Sequence, residues 1–307
     1  MKLLLILSAF TLTAMAQDVP RPRIVGVPHL AFRVHDIAAS RHFYKDFLGF
    51  SEPFDINGPD GKLIMAFIKV NDRQYIELSV ESKPDEPRFV HLALETDNAE
   101  GLRQYVKSKG FPVPDKPASK GRIRNTSTGL TDPDGNHIDV TQYEPDGASM
   151  QDVGKDMPDT RIATRMNHVG FSVTKPETAR YYIDILGFRE FWRGSADGKV
   201  ASYSNLMSPE GPDYIEFILG TAPPTKERAG TVYHVALEVP DMEKAIAKLN
   251  ANPARKDYKQ PVEFKVGKNR RRQCNLFDPD GNRVELMEDH TVDGLPAPMT
   301  PLPMFAK

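Results

Sequence analysis

The first and second halves of this chain repeat the same motifs in the same order, and this repetition constrains its fold most strongly. Residues 28–32, Pro-His-Leu-Ala-Phe, return as Asn-His-Val-Gly-Phe at 167–171. The turn sequence Asp-Pro-Asp-Gly-Asn at 132–136 recurs letter for letter at 278–282. Such self-similarity indicates that one structural unit occurs more than once. We therefore expect two homologous domains rather than one large fold.

The repeated motifs and the composition between them predict the domain boundaries. The first domain is expected at 24–145 and the second at 164–290. The polar stretch 146–163, with Pro, Gly and Asp, is predicted to be a linker. Residues 291–307 are predicted to form a Pro-rich extended tail. Each domain is long enough to bury its own core.

A weaker repeat inside each half divides the chain into four modules. Each module opens with a His, an apolar residue and a small residue, at His29, His91, His168 and His234. A helical pattern follows each opening strand, and alternating strands follow the helix. The expected fold is therefore α+β, with a strand–helix–strands unit that occurs four times.

Local signals mark where the predicted helices begin and end. Thr174 and Glu177 have the spacing of a capping box, and Asp241 is placed to cap the fourth helix. Gly49 and Gly187 stand where the first and third helices should end.

Strand alternation places the four histidines on the face opposite the core. Successive side chains of a strand point to opposite faces. In the first strand the apolar face consists of Leu30, Phe32 and Val34. His29 and Ala31 therefore point the other way, and the other three modules repeat this arrangement. A His beside a small residue leaves the open space that a metal ion and its substrate need.

Four carboxylates recur as regularly as the histidines. They are Glu77, Asp139, Glu216 and Glu285, and each lies between two apolar residues of a strand. A carboxylate in such a strand carries a desolvation penalty unless a charge compensates it. One strand His is more often structural than a ligand, and one Glu can simply pair with an Arg. Four of each at corresponding places indicate a divalent metal ion in each half, and neutral imidazole with carboxylate suits Fe, Zn, Ni, Co or Mn.

The bulk composition and the first residues predict where the chain works. The formal net charge is -2, so nucleic acid and anionic membranes are not expected as main partners. Residues 1–16 have the features of a signal peptide: Lys2, an apolar run, and Ala14-Met15-Ala16 as a cleavage site. We therefore expect a periplasmic or secreted protein, without a membrane segment after signal cleavage. Whether it forms a homodimer is left open.

These motifs resemble the vicinal oxygen chelate (VOC) superfamily, which includes glyoxalase I, bleomycin-binding proteins and extradiol dioxygenases. The resemblance covers residues 24–145 and 164–290, and it implies βαβββ modules that pair into two cup-shaped domains. It also implies two metal sites, at the centres of the cups. The first site would consist of His29, Glu77, His91 and Asp139, and the second site of His168, Glu216, His234 and Glu285.

The resemblance implies a metal-dependent enzyme that chelates a small-molecule substrate through vicinal oxygens. The four-ligand sites are similar to glyoxalase I, which implies a lyase or isomerase in which Glu216 or Glu285 takes a proton from carbon next to a carbonyl. The tandem layout also resembles extradiol ring-cleavage dioxygenases with Fe(II), whose ligands correspond to His168, His234 and Glu285. A third alternative is a non-catalytic protein that sequesters a small molecule. The bleomycin-binding relatives lack the metal ligands that this chain carries twice.

A few further residues lie near the expected cups. The basic run 269–272, with Lys268, is interpreted as a solvated strand edge; its alternative is contact with an anionic substrate, and Lys120, Arg122 and Arg124 receive the same interpretation. Arg33 resembles a glutathione-carboxylate contact of glyoxalases. Cys274 is predicted to be an inert packing residue, and Trp192 to lie either in the core or beside a pocket.

Overall fold

The computed structural model describes residues 19–305, in which the strands form two sheets. The predicted signal peptide lies outside the described residues. The first sheet contains β1 (Ile24–Gly26), β2 (His29–Val34), β3 (Ser51–Asn57), β4 (Leu63–Asn71), β5 (Gln74–Val80), β6 (Phe89–Thr96), β7 (Ser119–Lys120), β8 (Thr126–Thr131) and β9 (His137–Gln142). The second contains β10 (Arg165–Val173), β11 (Arg189–Gly194), β12 (Tyr203–Met207), β13 (Tyr214–Leu219), β14 (His234–Glu238), β15 (Lys265–Val266), β16 (Arg272–Phe277) and β17 (Arg283–Met287).

The helices are short and lie between the strands. They are α1 (Ile37–Arg41), α2 (Ala99–Ser108), α3 (Ala148–Gln151), α4 (Pro176–Arg180), α5 (Lys226–Val232) and α6 (Met242–Ala251). Two of them, α1 and α4, continue as π-helical turns at His42–Phe47 and Tyr181–Ile185, and a short 3₁₀ helix at Pro253–Lys256 follows α6. Within residues 19–305, no helix has the length and apolar character needed to cross a membrane.

Each sheet joins two βαβββ modules through their opening strands. The strand order is β3-β4-β5-β2-β6-β9-β8-β7 in the first sheet and β11-β12-β13-β10-β14-β17-β16-β15 in the second. At each centre the two opening strands run antiparallel, and the last strand of each module lies parallel beside its own opening strand. The predicted α+β fold, with four modules paired into two cups, is therefore confirmed.

Three of the four predicted signals for helix ends, Gly49, Gly187 and Asp241, are confirmed. Gly49 and Gly187 adopt φ values of 79° and 84° where the first and third helical segments end, a conformation that glycine adopts without strain. The Asp241 side chain caps α6 by accepting a hydrogen bond from the Lys244 amide. The predicted capping box was wrong, because the Thr174 hydroxyl instead donates to Asp134 Oδ1 of the first half at 2.6 Å.

The two halves are fastened to each other by their repeated turns. The Tyr44 hydroxyl of the first half donates to Asp278 Oδ2 at 3.2 Å, and Tyr182 of the second half donates to Asp132 Oδ2 at 3.4 Å. Each Asp-Pro-Asp-Gly-Asn turn thus contacts the opposite half. We call these two contacts the crossed turns.

Segments that follow the last strand of each half pack on the cups. In the stretch predicted to be a linker, α3 lies against the first cup. There the fully buried Lys69 Nζ donates to the Asp152 carboxylate and carbonyl at 2.7 and 2.6 Å and to the Lys155 carbonyl at 2.7 Å. The tail lies along β11, where the Pro298 carbonyl accepts from Trp192 Nε1 at 2.9 Å.

Candidate metal centres

The second site forms where β10 and β14 run side by side. Gly170 of β10 lies opposite His234, and His168 lies opposite Ala236. This register places the two imidazoles on one face, each next to a small residue, as strand alternation predicts. Their Nε2 atoms are 3.1 Å apart, and both side chains are fully buried.

Two carboxylates join these imidazoles from the flanking strands. Glu216 on β13 lies beside Gly170, and Glu285 on β17 lies beside Ala236. From His234 Nε2 the nearest oxygens of Glu216 and Glu285 are 3.3 and 3.4 Å away. From His168 Nε2 they are 3.7 and 4.0 Å away. The four side chains predicted for the second site therefore lie together, with both carboxylates within 4.0 Å of both imidazoles.

Hydrogen bonds at Nδ1 determine which nitrogen of each imidazole is free. His234 Nδ1 donates to the Val232 carbonyl at 2.9 Å, and His168 Nδ1 donates to Asn167 Oδ1 at 2.8 Å. Because Nδ1 carries the proton, each Nε2 presents a lone pair to the centre. Burial lowers the pKa of His234 to about 3 and that of His168 well below its ordinary value, so both rings are neutral near pH 7.

This donor set fits a divalent metal ion. Two lone pairs that face each other at 3.1 Å repel unless an electrophile lies between them. Two nitrogens bound to the same ion at about 2.0–2.1 Å are separated by roughly 3 Å. Burial also raises the pKa of Glu285, because the cost of burying its carboxylate outweighs the nearby positive charge of Arg283. His168, His234 and Glu285 offer ligand atoms that all lie within 4.8 Å of one another.

The first site brings the corresponding side chains together, but fewer hydrogen bonds hold its imidazoles in place. The Nε2 atoms of His29 and His91 are 3.1 Å apart, and each lies 3.4 Å from Glu77. Asp139 Oδ2 is 3.4 Å from His29 Nε2, and it also accepts a hydrogen bond from Thr141 at 2.6 Å. Among residues 19–305, neither His29 nor His91 has a hydrogen-bond partner at Nδ1.

The pKa shifts of the first site favour the charged forms of its His and Asp, whereas those of the second site favour neutral His and Glu. Burial opposes protonation of His29, but the Glu77 charge and the hydrogen bond to Asp139 outweigh it, so the pKa of His29 is raised. Burial likewise opposes ionisation of Asp139, but His29 and other neighbours outweigh it and lower the pKa of that carboxyl. His29, Glu77 and His91 offer ligand atoms within 4.8 Å of one another, so this site also could hold a cation.

The two sites differ most in the space beside them. The cavity at the first site has a volume of about 60 Å³, and Phe67, which lies opposite Glu77, and Ser149 of α3 form part of its wall. The cavity at the second site has a volume of about 290 Å³. Small-molecule sites typically have volumes of roughly 300–1,000 Å³, so of the two cavities only the second approaches the size that a small substrate needs.

Sequence reasoning missed part of the second cavity. Arg283, Lys265 and Asn275 line it together with Lys268 and Trp192. Arg283 stands two residues before Glu285 on β17, so alternation places both on one face. The two-residue spacing from Glu285 could therefore have identified Arg283 as a residue of this cavity.

The other residues singled out in the sequence have partners elsewhere. Arg270 pairs with Asp293, while Lys120 and Arg124 both pair with Asp146. Arg270, Lys120 and Arg124 thus behave as the solvated edges that the sequence predicted. Lys268 and the buried Asn269 do not, because both line the second cavity, as the alternative interpretation of this run expected.

Arg33 and Cys274 also lie outside the two cavities. Arg33 Nε is 3.4 Å from Glu86, and the residue does not line the first cavity. Cys274 is fully buried, and burial raises the pKa of its thiol to about 11, so it is a packing residue as predicted.

Solved structures of similar fold include both kinds of enzyme that the sequence resembles. The Mn(II)-bound glyoxalase from Novosphingobium aromaticivorans is 18% identical and has a TM-score of 0.66, with 87% of this chain and 83% of that chain covered. The 2,3-dioxygenase LapB from Pseudomonas sp. KL28 is 15% identical, with a TM-score of 0.66 and coverage of 94% and 97%. Homoprotocatechuate 2,3-dioxygenase from Arthrobacter globiformis is 17% identical, with a TM-score of 0.63 and coverage of 91% and 84%.

At these identities the likeness concerns the fold. No curated protein sequence gives a significant match. The model of the Glyoxalase/Bleomycin resistance protein/Dioxygenase superfamily matches residues 26–140 and 165–286, one match in each half. The chain therefore belongs to this superfamily and carries its domain twice.

Proposed function

We propose that the second site is a metal-dependent catalytic centre, a glyoxalase-like lyase or isomerase for a small molecule with two vicinal oxygens. The observation that carries this proposal is the grouping of His168, His234 and Glu285, with Glu216 3.3 Å from His234 Nε2, beside a cavity of about 290 Å³ that both carboxylates line. The imidazoles serve as neutral ligands. A divalent ion bound there supplies positive charge that binds both vicinal oxygens and stabilises negative charge as it develops on them.

We assign the proton transfer to Glu216. Glu285 Oε2 lies 3.7 Å from the Arg283 guanidinium, and Glu285 belongs with His168 and His234 to the group whose ligand atoms lie within 4.8 Å of one another. Glu216 lies outside that group, and among the described residues it has no Lys or Arg within ion-pair distance, so its carboxylate is not committed to an ion pair. From a cavity wall, Glu216 can take a proton from carbon next to a carbonyl and return it to a neighbouring atom. General-base catalysis of this kind typically contributes on the order of 10²–10⁴ in rate.

We propose that the first site binds a cation without a substrate. Its cavity of about 60 Å³ has room for little more than water. An ion there would compensate Glu77 and Asp139 and would thereby stabilise the first cup.

A matched pair of variants separates the two roles. His91→Gln and His234→Gln each remove one imidazole from equivalent positions. We expect two metal ions per chain in the wild type and one in each variant, measured by elemental analysis. His91→Gln should lower the thermal midpoint and keep activity, whereas His234→Gln should abolish activity. Full activity of the metal-loaded His234→Gln protein would refute the proposed role of the second site.

The second candidate function is extradiol ring cleavage with Fe(II). It is favoured by the composition of the group His168, His234 and Glu285, since two His and one carboxylate form the usual ligand set of non-haem iron oxygenases. Glu216→Gln distinguishes the candidates. Anaerobic turnover that is lost in this variant supports the lyase or isomerase, and O₂ uptake on catechols that survives in it supports the dioxygenase.

We also propose that the chain is exported, as its first residues predict. Mass spectrometry of protein collected outside the cytoplasm should find Gln17 at the mature N-terminus. An intact Met1 in that fraction would contradict cleavage by a signal peptidase.

A further inference from the structure

The second cavity has more positive charge than a metal site alone requires. Lys265, Lys268 and Arg283 line it together with the carboxylates of Glu216 and Glu285. One divalent ion would neutralise both carboxylates, so three cationic side chains would remain without a counter-charge in the cavity.

The first cavity provides the comparison. Its acidic lining residues are Glu77 and Asp139, and no Lys or Arg lines it within the described chain. One divalent ion would therefore balance the first cavity. The position that corresponds to Arg283 is His137, because each stands two residues before the last carboxylate of its half. The surplus of positive charge is thus specific to the half that has room for a ligand.

Arg283 is the most informative of these cations. Its side chain is only 19% exposed, yet it makes no hydrogen bond to any residue of 19–305, and its buried Nε has no partner. The 3.7 Å from its Nη2 to Glu285 Oε2 exceeds hydrogen-bond distance. Buried donors without partners cost free energy, so a ligand that accepts from this guanidinium gains affinity. The planar guanidinium matches the two oxygens of a carboxylate.

The surroundings of Arg283 also lack partners. Asn275, which lies opposite Glu285 on β16, has a buried Oδ1 without a hydrogen bond. Lys265 and Lys268 are exposed, and neither makes an ion pair within 4 Å in the described part of the chain. Arg283 therefore has an unsatisfied buried donor at the cavity, Asn275 has an unsatisfied buried acceptor, and two exposed lysines stand beside them without ion-pair partners in the described residues.

We infer that the substrate of the second site is a small organic acid whose carboxylate binds Arg283, with Lys265 and Lys268 at the cavity mouth, while its two vicinal oxygens face the His/Glu cluster. This inference rests on the proposed function and names its substrate class. The cavity of about 290 Å³ suits a compact acid.

Trp192 provides a direct reporter for the test. It is the single tryptophan of the chain, and it lines this cavity. The probes are 3,4-dihydroxybenzoate and 3,4-dihydroxybenzamide, which share the vicinal oxygens and nearly the same shape but differ by one negative charge. Binding of each probe to the metal-loaded full chain is titrated anaerobically by Trp192 fluorescence and by calorimetry.

We expect the wild type to bind the acid at least about tenfold more tightly than the amide, since charge-assisted bidentate hydrogen bonds are the strong ones. Arg283→Gln should reduce this preference to within about threefold and leave the affinity for the amide almost unchanged. Arg283→Lys should be intermediate, because it keeps the charge but not the planar fork. Arg122→Gln, which removes an exposed cation from the equivalent hairpin of the first half, serves as the control and should keep the full preference. Metal content is measured for every variant.

Each outcome has a defined meaning. Equal wild-type affinities for acid and amide would overturn the inference and leave the proposed function standing. A preference that survives in Arg283→Gln would also overturn it, because the carboxylate would then bind elsewhere. If the chain binds no metal, or binds neither probe, the proposed function fails and the inference fails with it.

Discussion

At the scale of single residues, the small side chain beside each imidazole controls whether a centre can form. A Cβ built on Gly170 would lie 1.8 Å from Cε1 of the His234 ring, far inside contact distance. The imidazole has little freedom to move, because its Nδ1 is bound to the Val232 carbonyl. A metal centre therefore requires glycine at this position of the second half.

Gly170→Ala is expected to displace His234 and to reduce the metal affinity of the second site. Loss of support for a metal ligand typically costs about 10–100-fold in affinity, and loss of the ligand position should cost at least as much. Competition with a chelator of known affinity measures the effect. The control is Gly121→Ala, where the nearest atom to the new Cβ would be 3.8 Å away. Unchanged metal binding in Gly170→Ala would show that His234 is not a ligand.

Alternation along strands predicts the face on which each of the eight side chains lies. Their grouping into two sets of four was implied by the resemblance to the superfamily, because alternation alone does not determine which faces meet. Arg283 obeys the same alternation but does not stand out in the sequence, because its lack of hydrogen-bond partners depends on which side chains the assembled sheet places around it. The difference in volume between the two cavities could not be predicted from the sequence either, because it also depends on how the strands and loops pack.

At the scale of elements, the segment after β9 closes the first cup through one buried cation. Lys69 is fully buried, and its Nζ bonds the Asp152 carboxylate and two backbone carbonyls and lies 3.0 Å from Asp72. Sequence reasoning predicted only a polar linker here. A lysine within a strand gives no sign that carbonyls more than eighty residues away will surround it.

Lys69→Met is expected to lower the free energy of unfolding by about 3–5 kcal/mol, because it leaves the Asp152 carboxylate without its buried partner. Urea unfolding followed by circular dichroism measures the change. Lys155→Met is the matched control: this exposed lysine bonds one carbonyl at 2.8 Å, and its loss should cost less than about 0.5 kcal/mol. Equal effects of the two substitutions would contradict the role of Lys69.

At the scale of the whole molecule, the crossed turns join the halves through buried carboxyl groups. Burial raises the pKa of Asp278 to about 6, and it also raises the pKa of Asp132. In the unfolded chain an Asp ionises near its ordinary value of about 3.9. Because the folded state binds the proton of Asp278 more tightly, this group stabilises the fold below that value. The contribution is lost as the pH rises through about 6.

Asp278→Asn is therefore expected to lower the free energy of unfolding most at acid pH. Its free energy of unfolding should approach that of the wild type as the pH rises to neutral. A shift of roughly two pKa units corresponds to about 3 kcal/mol between pH 4 and pH 7.5. Urea unfolding of both proteins across this range gives the difference, in which other titrating groups cancel. Asp132→Asn should show the same trend. A difference that does not change with pH would refute the assigned role of Asp278.

The turns themselves were predictable from the sequence, but their partners were not. The five letters that recur at 132–136 and 278–282 predict a tight turn before a strand. Nothing in them indicates that Tyr44 and Tyr182 of the opposite halves would donate to the first Asp of each turn. That contact depends on how two finished domains meet.

The crossed turns have a consequence for how this duplicated chain can diverge. The turn of each half binds a tyrosine of the other half. A change of length or charge in one turn therefore removes a hydrogen bond of the opposite half. The cavity inside each cup is lined by residues of its own half, so a change in one cavity does not alter the other. Sequence change is therefore restrained where the halves meet and less restrained inside the cups, so two copies of one domain can hold a small cavity of about 60 Å³ and a larger one of about 290 Å³.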